Sequence, residues 1–240
     1  LPTTISFVKK DLLTWKDGTQ SIYERLNDKL KNHARLNVNI TKITRENGQV
    51  QVYIDGQAEP EVYDKIIVTA PLDQMLTYLA DATDTEKTYF SKITHERYMV
   101  FACLVDNYPK ISGYIPENQV PERLGRTMVY YHRWANEPKQ VITCYALGNH
   151  KDDPQVSMDQ ARENVKEDMK TFGIPVKEII YERDWYYFPH VSCDEYKNGW
   201  YDTVEGMQGA KNMYYAGEVM SFGDMDETTH YSKDLVERFF

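Results

Sequence analysis

The stretch that most constrains this chain is its last, residues 213–240, MYYAGEVMSFGDMDETTHYSKDLVERFF. A short aromatic run, Met213-Tyr214-Tyr215-Ala216, meets Gly217-Glu218. A turn holding Gly and Asp follows, and then a segment in which Tyr231, Leu235, Val236 and Phe239 recur at helical spacing. That order reads strand, turn, loop, helix. Asp226 ahead of Glu227-Thr228-Thr229 has the chemistry of an N-cap with an acid in the first turn, so the helix is expected to begin at about Glu227. A helix start just past a strand-to-glycine turn offers unpaired N–H groups and the positive dipole end to whatever lies above the strand. Such a place suits a bound anion or a carbonyl oxygen.

Upstream, Asp17-Gly18-Thr19 opens IYERLNDKLKN, where Ile22, Leu26 and Leu30 lie four apart; this predicts an amphipathic helix of about three turns. LNVNITKITRENGQVQVYIDG alternates through Val38, Ile40 and Ile43, turns at Asn47-Gly48, and alternates again through Val50, Val52 and Ile54. Asn-Gly between alternating runs is the strongest local hairpin signal. Ile66-Ile67-Val68-Thr69-Ala70 reads as a buried strand stopped by Pro71. Residues 72–92 are helical in pattern, interrupted where Thr83 or Asp84 can cap a second helix. ERYMVFACLV reads as a strand. RTMVYYHRW and KQVITCYALG form two more, joined near Ala135-Asn136-Glu137-Pro138. Residues 157–172 form a capped helix with Val165, Met169 and Phe172 on one face, ended by Gly173 and Pro175, and EIIYERDWYYFP is a further strand. The predicted fold class is therefore α+β of the α/β family, with a mixed, largely antiparallel sheet. The chain leaves its first layer near residue 72 and returns near residue 205. Residues 1–71 and 206–240 are expected to form one domain and residues 72–205 the other.

With 41% apolar residues the chain can bury a sizeable core. A net charge of −9 argues against nucleic acid or an anionic membrane as partner, because both select positive potential. No apolar run is long enough to span a bilayer and LPTTISFVKKDLL has no signal-peptide core, which predicts a cytoplasmic protein. Cys103, Cys144 and Cys193 are far apart with no CxxC spacing and read as buried structural thiols. The nineteen tyrosines suit an aromatic-lined ligand cavity, and equally an ordinary core. His33, His95, His132, His150, His190 and His230 show no metal-binding spacing, and no Gly-x-Ser-x-Gly elbow marks a nucleophile.

The Ala-Gly-Glu that ends the last strand, followed some ten residues on by a helix start, resembles the C-terminal signature of the FAD-dependent amine oxidase superfamily. The likeness extends over most of the chain. A glycine turn before a helix, a strand, a hairpin, an aspartate-then-strand-then-Ala-Pro step (Asp64 to Pro71), a substrate domain and the Gly-Glu pair occur in the superfamily's order. The resemblance implies FAD as cofactor, with Gly217 and Glu218 along its ribityl-pyrophosphate part, Thr228 and Thr229 at the helix end facing the pyrimidine edge, and Ile40 on the adenine side. It implies residues 1–71 and 206–240 as part of a Rossmann-like FAD-binding domain and a small-molecule substrate, with Trp185 and Tyr187 on the cavity wall. For Trp185, Tyr186 and Tyr187 the alternative is ordinary aromatic packing on an edge strand.

Two departures qualify the likeness. There is no GxGxxG, the unit that would hold the pyrophosphate. The chain then reads as a C-terminal fragment or as a remnant that no longer binds FAD, holding no stoichiometric flavin by itself and self-associating through unpaired sheet edges. Many amine oxidases also carry a lysine on the first long strand of the substrate domain, whereas here the strand reads Arg97-Tyr98-Met99-Val100. An FAD-dependent oxidoreductase taking hydride from an amine or an apolar substrate is expected. The rival is a flavin-dependent isomerase or desaturase of a fatty-acid-like substrate, and a third reading is a chain that only binds or associates.

Overall fold

The computed structural model describes residues 15–109, 111–132, 140–148 and 156–240. The chain divides into two compact units, residues 1–38 and 39–240. In the first, α1 (Gln20–Asn27) follows a turn at Gly18, whose φ is +79°, and none of its residues is buried. It runs for eight residues rather than three turns. Asn27 and Asp28 are poor helix formers, and the Asn27 side chain instead accepts a hydrogen bond from the Ala34 N–H at 2.7 Å.

The second unit opens with the expected hairpin. β1 (Ile40–Glu46) and β2 (Gln49–Ile54) pair antiparallel across Asn47-Gly48, both at positive φ as a tight hairpin turn requires. A third strand, β3 (Glu61–Tyr63), adds to β2; three residues are too few to show a period in sequence. β4 (Ile66–Val68) leads to α2 (Leu72–Met75) and to α3 (Asp84–Phe90), which Thr83 caps in a complete capping box with Glu86.

The central sheet comprises β5 (Thr94–Val105), β6 (Gly113–Tyr114), β7 (Thr127–Tyr131), β8 (Val141–Leu147) and β9 (Val176–His190), in the order β6-β7-β8-β5-β9, with every pair antiparallel. β7 and β8 pair as expected, but the proposed turn at residues 135–138 lies outside the described residues. α4 (Met158–Thr171), capped by Ser157, buries Val165 and Met169 against Met99, Phe101, Ile142 and Cys144 of the sheet. Phe172 is 40% exposed and stacks on Tyr130 instead of entering that core.

The short helices α5 (Cys193–Lys197) and α6 (Trp200–Glu205) then lead back to β10 (Met213–Tyr215). β10 pairs in parallel with β4. Their core, which includes Val68, Leu72, Phe90, Trp200, Met213 and Tyr215, is distinct from the one under α4.

α7 (Met225–Phe239) begins two residues before the expected Glu227. Its cap is Asp224, not Asp226: the Asp224 carboxylate accepts the Glu227 N–H at 2.9 Å, because only an acid three residues ahead reaches that donor. Leu235 is fully buried, while Val236 is 46% exposed and lies off the packed stripe. Cys103 and Cys144 are buried as expected. Cys193 is exposed, since it occupies the first position of α5, which buries none of its residues. Among the described residues no helix is long and apolar enough to cross a membrane.

Candidate functional site

The C-terminal ends of the parallel pair set the site. Ala216 N–H donates to Val68 O at 2.9 Å, holding the chain beside β4 for one residue beyond β10. Gly217 then takes φ +93° and ψ −169°, a region that essentially only glycine occupies. A Cβ there would stand 2.6 Å from the Thr69 carbonyl oxygen. The glycine is thus demanded by the close approach of two backbones, and the turn it makes places Glu218 at the start of a short 3-10 turn, Glu218–Met220.

Glu218 points inward. Its Oε1 is buried and has no hydrogen-bond partner among the described residues. Burial pushes the carboxyl above its ordinary range, opposed by the Phe188 backbone N–H and the charge of His95. Gly223 crosses over it so closely that a Cβ would lie 2.7 Å from Oε1 and 2.9 Å from the Phe188 ring.

β9 contributes through an irregularity. Thr94 pairs with His190 and Glu96 with Tyr187, so the single residue His95 stands opposite two, Phe188 and Pro189. This is a β-bulge, a device that redirects side chains. Phe188 adopts φ +54° although a residue before proline favours extended backbone at negative φ. Its ring packs edge-on against Phe222 at 5.5 Å, and the neighbouring Tyr187 hydroxyl donates to Gly223 O at 3.2 Å. Across the bulge, His95 Nε2 meets both carboxylate oxygens of Asp73, at 3.0 and 3.1 Å. The His95 side chain is 9% exposed, and its Nδ1 is buried without a partner among the described residues. Two buried polar atoms without partners therefore accompany one strained bulge.

Gly217 and Glu218 form the turn that ends β10. Thr228 lies in the first turn of α7, its hydroxyl engaged with Phe222 O and Ser221 Oγ, both at 3.1 Å. Thr229 donates to Met225 O at 2.6 Å. Ile40 opens β1, exposed, on the three-stranded meander rather than on the strand pair that leads to Gly217. Asp73, His95, Phe188 and Gly223 were not singled out from sequence. Only Phe188, beside Pro189 in an otherwise regular strand pattern, left a local trace.

The face of the central sheet turned away from α4 has a different character. β5 and β8 present Tyr98, Val100, Ala102 and Leu104, and Val141, Thr143, Tyr145 and Leu147; all eight are uncharged and half-buried. Tyr98 contacts Tyr145 and Tyr187 at ring distances of 5.4 and 5.5 Å. Trp185 lies directly across from Tyr98 on the edge strand, with the Arg183 guanidinium 4.8 Å over its ring. Desolvation raises the Tyr98 hydroxyl well above its ordinary range, so it stays neutral.

A family model for flavin containing amine oxidoreductases matches residues 4–228. The chain belongs to that family. The CLA-producing fatty acid isomerase from P. acnes is 56% identical to this flavin amine oxidoreductase chain. The match covers 96% of this chain and 54% of the isomerase, with a TM-score of 0.90. Putrescine oxidase in its putrescine-bound form is 11% identical, over 92% of this chain and 53% of the other, with a TM-score of 0.63, and shows the shared fold. The chain thus spans about half the length of these solved relatives. No curated protein sequence matches. The residues present fit a flavin: the buried Oε1 of Glu218, beside a glycine turn, lacks a partner among the described residues, which suits a group rich in hydroxyls.

Proposed function

We propose that the protein acts as a flavin-dependent isomerase on a long apolar, fatty-acid-like substrate. The observation that carries this reading is the uncharged, tyrosine-bearing stretch of the central sheet, where four successive face positions on β5 (Tyr98 to Leu104) and four on β8 (Val141 to Leu147) carry no acid that would hold an ammonium group. The 56% identity to a fatty acid isomerase supports it, as does the absence of a lysine anywhere on β5.

Bound FAD supplies hydride acceptance and return, so that a double bond moves without net oxidation. Gly217 would let the chain approach that cofactor, Glu218 would accept from one of its ribityl hydroxyls, and the first turn of α7, with Thr228 and Thr229, would offer it a positive helix end. Tyr98, Tyr145, Trp185 and Tyr187 wall the acyl chain. Their rings exclude water from the reacting carbons, and the neutral phenols orient the chain without competing for its protons.

The test supplies the flavin-loaded intact protein with a polyunsaturated fatty acid and, separately, with primary and polyamine substrates. Conjugated-diene absorbance should grow with no hydrogen peroxide released. Peroxide formed from an amine, with the fatty acid untouched, would return the protein to amine oxidation.

A further inference from the structure

Resting on the flavin reading, the geometry points to a role for a pair of residues in which no motif placed one. We propose that Asp73 and His95 extend the Glu218 site into one polar niche, in which His95 Nδ1 and Glu218 Oε1 together bind hydroxyl groups of the flavin's sugar-derived part.

The two atoms have the same predicament. Each is buried and each lacks a partner among the described residues. A buried polar atom left unpaired costs about as much as a lost hydrogen bond, so a pair of them in one locality calls for a ligand. They are brought into one locality by the bulge: His95 stands opposite Phe188 and Pro189, while Gly223 packs against both the Phe188 ring and Glu218 Oε1.

The chemistry of the pair selects what it binds. Asp73 takes the Nε2–H of His95 through both oxygens, which fixes the ring's orientation and leaves Nδ1 as its free polar atom. Glu218 offers a carboxyl oxygen. With two acids, Asp73 and Glu218, contributing to the niche, a phosphate is disfavoured, whereas a group carrying several hydroxyls is matched. In FAD those are the ribityl chain and the adenosine ribose. Asp73 acts through His95 and is a positioning residue.

The test strips flavin from the intact holoprotein and titrates it with FAD, riboflavin and lumiflavin, which has the ring system but no ribityl chain. His95→Gln keeps a polar atom that faces Asp73 and removes the polar atom at the Nδ1 position; His95→Asn retains a polar atom near the Nδ1 position. His95→Gln should weaken FAD about tenfold, the worth of one buried hydrogen bond. His95→Asn should recover part of that loss, and lumiflavin should be insensitive to both. An equal loss for riboflavin assigns the niche to the ribityl chain, and a loss for FAD alone assigns it to the ribose. Equal affinities for all three ligands in wild type and His95→Gln overturn the proposal, as does a loss that includes lumiflavin, which marks a general distortion. A wild-type protein that takes up none of the three overturns the flavin reading itself, and the niche with it. Thermal melts of the apoproteins confirm that the variants compared are folded.

Discussion

Gly217 shows how much one position can be asked to do. Its backbone lies where side-chain-bearing residues essentially never go, and the Thr69 carbonyl fills the space a Cβ would need. Gly217→Ala should therefore destabilise the protein by about 1–3 kcal/mol from conformational strain alone. The obstacle is backbone rather than a flexible side-chain tip, so relaxation has to separate β4 from the end of β10. A urea titration reads the loss, and an unchanged midpoint would mean that the turn adjusts without cost. Gly223, whose φ is ordinary, is held only by the nearness of Glu218 and Phe188. Gly223→Ala should accordingly disturb cofactor affinity more than stability.

Between elements, one tie is a buried charge network. Arg45 on β1 donates to both oxygens of Glu86 on α3, and Tyr215 on β10 donates to the same carboxylate at 2.7 Å. The Thr83 N–H caps it at 2.6 Å, so a single carboxylate joins the meander, a helix and the parallel pair. Burial pushes the Glu86 carboxyl up, but the bonds from Arg45, Tyr215 and Thr83 outweigh it and hold the group at about 2 against an ordinary 4.5. A carboxyl depressed on folding adds stability that is fully present above its unfolded value and fades as pH falls toward its folded value. The contribution should be about 3 kcal/mol above pH 4.5, declining between there and about pH 2. Denaturation of wild type and Glu86→Gln across that window measures it. The two curves should converge at the acid end, and parallel curves would show that the network adds nothing on folding.

For the molecule as a whole, exposed edges are the outstanding property. Among the described residues β4 and β10 form a parallel sheet of two strands, an architecture usually found in larger sheets covered on both faces. β9 runs fifteen residues along the rim of the central sheet with Tyr181, Trp185 and Tyr186 exposed. Unpaired edges of this kind invite further strands, and the chain is expected to self-associate. Light scattering over a concentration series should show the mean mass rising, and a constant monomer mass would mean that the charged residues Lys177, Glu178, Glu182 and Arg183 protect the rim.

The sequence by itself determined the order of elements, because hydrophobic period, Asn-Gly turns and capping residues act over a few positions. The hairpin at Asn47-Gly48, the Thr83 and Ser157 caps, and the strand that ends in Ala216-Gly217-Glu218 were all legible in that way. Local pattern also misled where two choices were locally alike, as with Asp224 and Asp226, or where a helix yielded to a side-chain bond, as at Asn27. Only the tertiary structure decided which distant residues share a site. Asp73, His95, Phe188 and Glu218 are spread over some 145 positions of chain, and no periodicity links them. They meet because β4 and β10 pair in parallel and because a bulge in β9 turns one phenylalanine against the strand's own preference. Such contacts follow from register and from the packing of whole elements, which are settled by the burial of many side chains at once rather than by any residue's neighbours in sequence.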